Sequence, residues 1–338
     1  MSEAIAKRGG SAFFVCDIFD ASPKDDLGTM EHPIFSLSTR PDRRILSYTH
    51  NDVQVDVTPS VRGRATIHDK DILIYCISQL MAALNAGRTI SRTLQIKAHD
   101  LLVATRRDTS GDGYGRLRDA FERLAGTRIT TNLSTGGVEV TQGFGLIESW
   151  EIVRKAPAAG GRGGRMVSVM VTLSEWIFRA VQSKSVLTLN REYFALRKPL
   201  ERRIYELARK HCGRQPEWRV SVTTLHKKAG SAAPLRVFRA AVRRMMQDDL
   251  LPDYTLSELP GDLVLVRREA QVLAVGEGPV LGTEVLEAAR ALAPGADVYA
   301  LEAAWQGFWI DSGRPRLSDP DRAFLGWVKS QAGVAAKR

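Results

Sequence analysis

Apolar positions along this chain follow two rhythms, and the clearest helical one lies near its middle. In Pro234 to Leu250, PLRVFRAAVRRMMQDDL, the residues Leu235, Phe238, Val242 and Met245 or Met246 recur at i, i+3, i+7 and i+10/11, one face of an α-helix. Arg236, Arg239 and Arg243 each follow an apolar position by one residue, so a basic stripe runs about 100° around the helix from the buried one. Pro234 suits the first turn, where its missing N–H costs nothing. The spacing predicts a helix that buries one face and offers guanidinium groups on the next.

The same reading carries along the rest of the chain. Residues 1 to about 30 mix Gly, Ser, Asp and Lys around one apolar patch, Phe13 to Phe19, and predict a mostly mobile tail. Ile45 to Tyr48 and Val53 to Val57 read as strands, the second alternating apolar and polar. A buried helix opens at Asp69 or Lys70, fills Ile72 to Leu84 with apolar residues and closes at Gly87. A strand at Arg92 to Ile96, a short helix at Ala98 to Thr105 and a loop rich in Gly, Asp and Ser follow. Then comes GRLRDAFERLAG, with Leu117, Ala120, Phe121 and Leu124 as its apolar face. Arg116 and Arg123 share another face, and Arg118 and Glu122 can pair at i, i+4.

Arg128 to Asn132 and Val138 to Thr141 flank Ser134-Thr135-Gly136-Gly137 as a hairpin. Phe144 to Val153 and Met166 to Leu173 are further strands on either side of an APAAGGRGGR loop. Ser174 to Val181 reads as helix and Val186 to Leu189 as strand. Asn190 to Gly213 contains a long helix with Ile204, Leu207 and Ala208 inward. A strand at Trp218 to Val222 and a short helix at Thr223 to Ala229 lead into the arginine-striped helix. Tyr254 to Leu259 and Leu263 to Arg268 then flank Pro260-Gly261-Asp262 as a second hairpin.

Two stretches thus repeat one order: long helix, short strand, short helix, turn, helix, hairpin. That is the order of a winged helix-turn-helix, in which the second helix of the turn enters the major groove and the wing touches backbone or minor groove. The predicted fold is α+β: a tail over 1–30, a first winged-helix domain over 31–189, a second over 190–270, and a small C-terminal helical module over 276–338. In that module Val298, Leu301, Trp305 and Phe308 lie at helical spacing, and Asp319-Pro320 reads as a helix start. It reads either as a helical cap or as a docking module for a partner protein, since tryptophan is enriched at interface hot spots.

Composition narrows the function. The 338 residues carry a formal net charge of +10, and between Arg191 and Leu250 there are 15 Lys/Arg against 6 Asp/Glu. A basic excess on one segment is the footprint of a nucleic-acid partner. The candidate DNA-binding residues are Arg236, Arg239, Arg243, Arg244, Lys227, Lys228, Arg267 and Arg268 in the second domain, and Arg116 and Arg123, with weaker effect, in the first. The three cysteines, Cys16, Cys76 and Cys212, form no CxxC pair and read as buried thiols of a cytoplasmic protein. No apolar run approaches a membrane span, and no secretory leader is evident. No P-loop, no metal-spaced histidine pair and no nucleophile with a neighbouring base occurs, so no cofactor, metal or catalytic step is expected.

Three stretches add a resemblance. HPIFSLSTRPDRRILSY, VRGRATIHDKDILIYCISQL and LTLNREYFALRKPLERRIYELARKHCG resemble the replication initiator protein A family of bacterial plasmids, over about residues 30 to 270. The resemblance implies binding to repeated origin sites in double-stranded DNA, local duplex opening and recruitment of host replication proteins such as the initiator and the replicative helicase, with no catalysis. A homodimer is one admissible assembly. The alternative is a transcriptional repressor with the same reading heads, although a repressor typically carries one such head per subunit.

Overall fold

A computed structural model describes residues 13–18, 21–50, 53–135, 138–154, 166–213, 215–268, 279, 281–293, 298–313 and 317–335. The fold is mixed α+β and divides into two compact units, residues 1–19 with 23–269, and residues 20–22 with 270–338. Among the described residues no helix is long and apolar enough to cross a membrane.

The larger unit begins with β1 (Phe14–Val15), β2 (Lys24–Asp26), α1 (Leu27–Glu31), β3 (Leu46–His50) and β4 (Val53–Thr58). Next come α2 (Lys70–Asn85), β5 (Thr93–Lys97), α3 (Ala98–Ala104), α4 (Gly111–Gly126), β6 (Arg128–Thr135), β7 (Val138–Gly145), β8 (Ile147–Arg154) and β9 (Met166–Leu173). After α5 (Glu175–Gln182) and β10 (Val186–Thr188) the chain forms α6 (Pro199–Cys212), β11 (Glu217–Ser221), α7 (Val222–Ala229), α8 (Leu235–Asp248), β12 (Tyr254–Leu259) and β13 (Leu263–Arg268). The smaller unit consists of α9 (Thr283–Leu292), α10 (Val298–Asp311) and α11 (Pro320–Ala335) around Val285, Ala289, Val298, Trp305, Phe324 and Val328.

The apolar patterning forms two cores inside the larger unit. One gathers Ile72, Leu73, Leu117, Phe121, Val169 and Val171 under the sheets of the first half. The other gathers Ile204, Tyr205, Leu225, Phe238, Val242, Tyr254 and Val266. The second core also takes in Met30 and Ile74 from the first half of the chain. The helix α2 is buried on nearly every side, as its unbroken apolar run requires.

Three expectations are corrected. First, the described part of the N-terminal segment is built in: β1 pairs with β5, β2 with β10, and Asp25, Asp26, Thr29 and Met30 are almost wholly buried. Its small and charged residues suggested a tail because their partners are remote in sequence. Second, Gly111 to Tyr114, expected as loop, form the first turn of α4. Gly113 packs so closely on the Asp108 backbone that no Cβ would fit there, which explains a glycine inside a helix. Third, the strand expected over Phe144 to Val153 breaks at the buried Leu146 and belongs to two sheets.

That break resolves the repeat. The hairpin β6–β7 adds to β4 and β3 in a sheet ordered β3-β4-β6-β7. The hairpin β8–β9 instead pairs with β5, giving β5-β9-β8, the same order as β11-β13-β12 in the second half. In sheet order β8–β9, not β6–β7, matches β12–β13. Gly136-Gly137 and the whole APAAGGRGGR loop lie outside the described residues, as does residue 155 before it.

A buried ionic seam joins the halves. Lys70 Nζ lies 2.5 Å from Asp25 and 3.0 Å from Glu206, with all three side chains at most 1% exposed. Arg202 donates to Asp71 at 2.5 Å and to the Leu196 carbonyl at 2.7 Å. Arg203 donates to the carbonyls of Met30 at 2.9 Å and Lys228 at 2.7 Å. Burial pushes the Asp25 carboxyl up, while Asp25 and Glu206 hold the Lys70 ammonium up.

Candidate nucleic-acid interface

The candidate interface is built on α8. Phe238, Val242 and Met245 are its buried residues, which matches the apolar periodicity and turns the arginine stripe outward. Its C-cap Asp249 is in the left-handed region at φ 44°, a conformation Asp tolerates better than most residues. Upstream, Gly230 caps α7 at φ 65°, so α7 and α8 are joined by the short turn 230–234.

The stripe is braced as well as exposed. Arg239 donates from Nε and Nη2 to the two carboxylate oxygens of Asp262, at 2.8 and 2.7 Å. Arg243 does the same to Glu258, at 3.0 and 2.7 Å. Both acids belong to the β12–β13 hairpin, so α8 and the hairpin are stitched by two bidentate pairs. Each arginine holds its carboxylate below the usual range. The sequence reading left Arg239 and Arg243 unpartnered and missed Glu258 and Asp262; two acids on a hairpin beside an arginine-striped helix were the available signal. Solvent-exposed pairs of this kind are weak and screened by salt. They keep the guanidinium planes ordered.

Other candidates fall into two groups. Arg236, Arg244, Lys227 and Arg267 are exposed, and among the described residues none has a carboxylate within ion-pair distance. Arg268 is half-buried at the end of β13, where its N–H donates to the Pro216 carbonyl. Lys228 is a correction: it is 6% exposed and its ammonium donates to Glu31 Oε1 at 2.6 Å. Its position on the inner face of α7 commits it to the seam, and burial lowers its pKa.

In the first half, Leu117, Ala120, Phe121 and Leu124 of α4 are fully buried as expected. Arg116 is exposed, 4.0 Å from Asp112, and Arg118 pairs with Glu122 at 3.4 Å. Arg123 is the second correction. It donates from Nε and Nη2 to both oxygens of the buried Asp69, at 2.7 and 2.8 Å, and so ties α4 to the start of α2. A residue seven positions from Arg116 turns inward because Asp69, at the start of α2, lies within reach of that side of α4.

Cys16, Cys76 and Cys212 are free and buried, and burial pushes Cys76 up to about 12 and Cys212 up to about 11. Among the described residues no group of His, Cys, Asp and Glu is arranged to hold a metal ion.

Comparison with known proteins follows the same outline. In overall fold the chain is similar to a crystal structure of RctB domains 2–3, with a TM-score of 0.50 and 15% identity, over 72% of this chain and 98% of that one. In sequence it is similar to the "Putative replication protein" of Wigglesworthia glossinidia brevipalpis, 37% identical over 247 residues, which cover 72% of this chain and 88% of that relative. Residues 24–256, from β2 into β12, match Replication initiator protein A. With more than half of its length matched and a relative aligned nearly end to end, this chain belongs to the replication initiator protein A family.

Proposed function

We propose that the chain is a plasmid replication initiator that binds repeated sites in double-stranded origin DNA through two winged helix-turn-helix halves. The observation that carries the reading is α8: a helix with a buried apolar face, outward arginines and a hairpin fastened beside it. The shared sheet orders β5-β9-β8 and β11-β13-β12 support assigning α4 and α8 as equivalent helices and β8–β9 and β12–β13 as equivalent wings. Family membership supplies the setting.

Affinity on this reading comes from phosphate neutralisation and counterion release, and falls steeply with salt. Arg236, Arg239, Arg243 and Arg244 offer guanidinium groups for guanine edges, each good bidentate pair being worth about 1–3 kcal/mol of discrimination. The two halves would take major-groove faces about one helical turn apart. Opening would draw on binding energy spent in deforming A·T-rich steps. Host replication proteins would then be recruited, with residues 279–335 as one candidate surface. No covalent step is assigned to the chain.

The test is footprinting and fluorescence anisotropy on duplexes tiled across the DNA beside the gene. Discrete direct repeats next to an A·T-rich tract, and maintenance of a plasmid carrying that tract with the gene, are expected. Uniform affinity for every tile would overturn the reading.

A further inference from the structure

Away from α8, two short loops bring arginines together at the C-terminal end of α4. The loop from Arg40 to Ile45 carries Arg40, Arg43 and Arg44, and the turn from Val61 to Arg64 carries Arg62 and Arg64. Arg40, Arg43, Arg44 and Arg62 are exposed.

The loops are locked to each other. Arg64 and Asp42 form an ion pair at 3.1 Å with both side chains buried, at 4% and 5% exposure. The Arg64 N–H donates to the Asp42 carbonyl at 2.8 Å, and Arg43 Nε donates to the Val61 carbonyl at 3.2 Å. Gly63 sits at φ 94°, and a Cβ there would meet Pro41 and Asp42 backbone atoms at 3.0–3.1 Å. Only glycine combines that dihedral with that approach. The Ser60 hydroxyl donates to the Gly63 carbonyl at 3.0 Å and closes the turn.

The pair is also fixed to α4. Ser60 packs against Gly126 so closely that a side chain at 126 would collide with it. Arg62 Nε lies 2.9 Å from Glu122, and the Ala65 N–H donates to the Thr127 hydroxyl at 2.8 Å.

Charge on this shelf exceeds what its own acids take up. Asp42 is spent on Arg64 and on a bidentate pair with Arg44 at 2.9 and 3.0 Å, which hold its pKa down at about 2. Glu122 is shared by Arg62 and Arg118. Among the described residues Arg40 and Arg43 have no carboxylate within ion-pair distance. Val61, 85% exposed, and Ile45, 64% exposed, place apolar atoms beside these guanidinium groups. A merely solvated surface gives no reason to rigidify a run of arginines and leave two β-branched apolar side chains among them.

We propose that this shelf is a second contact with duplex DNA, independent of base sequence, in which Arg40 and Arg43 take backbone phosphates. Guanidinium suits bidentate phosphate binding better than ammonium does. A loop already held in place loses little freedom on binding, and Val61 and Ile45 can lie against deoxyribose. Because the shelf is mounted on α4, it would set the register of the first half on the backbone without reading bases. The inference rests on the DNA-binding reading above.

The experiment uses the full chain and a 30-base-pair mixed-sequence duplex, with affinity followed by anisotropy as salt is raised. Arg40→Ala with Arg43→Ala should flatten the slope of log K against log salt by about 1.8, that is, about 0.9 for each phosphate the variant no longer neutralises. Affinity for a tile holding the repeats should fall by the same factor, leaving the specificity ratio unchanged, and the circular dichroism melt should match wild type. Arg40→Lys with Arg43→Lys should keep most of the slope. If wild type binds with a clear salt slope and the alanine variant binds identically, the shelf is wrong while the DNA-binding reading stands. If wild type binds no duplex, both fall.

Discussion

Lys70→Met probes the buried seam. The ammonium is fully buried, 2.5 Å from Asp25 and 3.0 Å from Glu206. Around it Asp25, Asp26, Asp71 and Glu206 face Lys70, Arg202 and Arg203, all nearly or wholly buried. Removing one cation leaves an uncompensated buried carboxylate, and breaking such a pair costs about 3–5 kcal/mol. Methionine keeps most of the volume, so the cavity contribution is small.

The variant can escape by binding one further proton, and that sets the pH dependence. Burial already raises the Asp25 carboxyl, and loss of the cation raises it further. A carboxyl whose folded pKa lies above its unfolded value favours the folded state at low pH and loses that contribution as pH rises through the folded value. Protonating a carboxyl of ordinary pKa 3.8 costs about 1.4 kcal/mol per pH unit above that value, hence about 2 kcal/mol near pH 5. Near pH 8 the ionised alternative is cheaper and the cost is about 4 kcal/mol. Lys70 itself, raised in the folded state, stabilises wild type across this whole window. Its contribution fades only as pH climbs through the raised value. Urea unfolding of both proteins at pH 5 and pH 8, followed by far-ultraviolet circular dichroism, measures the difference. A loss below about 1 kcal/mol at both pH values, or a larger loss at pH 5 than at pH 8, would refute the reasoning.

Three further outcomes are expected. Arg239→Glu with Arg243→Glu should abolish binding to the repeats, because it reverses the stripe and repels Glu258 and Asp262; the melting temperature should move little, since both pairs are exposed. Arg123→Ala should lower stability by about 1–3 kcal/mol by leaving Asp69 unpaired, with DNA affinity of the folded protein unchanged, whereas Arg116→Ala should leave the melt unchanged and flatten the salt slope by about 0.9. Truncation after Glu277 should leave repeat binding within error and abolish plasmid maintenance; a truncated protein that still maintains the plasmid would remove residues 279–335 as a recruitment surface.

Much of the local structure is legible in the sequence, because an amphipathic period records which way each residue of a helix or strand must face. The burial of Phe238 and Val242, the apolar face of α4 and the ends of β12 and β13 all follow from patterns within about a dozen residues. The outward course of the arginine stripe on α8 follows from the same pattern. Pairing between remote segments is not written in that period. Lys228 and Arg123 read as surface cations because their carboxylates, Glu31 and Asp69, are far along the chain. Asp25 and Asp26 read as tail for the same reason. The assignment of the hairpins was likewise a tertiary decision: the sequence marks β6–β7, with its turn residues, as the hairpin after α4, whereas the hydrogen bonds of β9 to β5 give β8–β9 the sheet order that matches β12–β13. Side-chain period depends on neighbours along the backbone, whereas ion pairing and sheet order depend on which distant backbones meet. The local pattern therefore determined the helices and their faces, and the tertiary structure decided which of their charges are spent on remote partners.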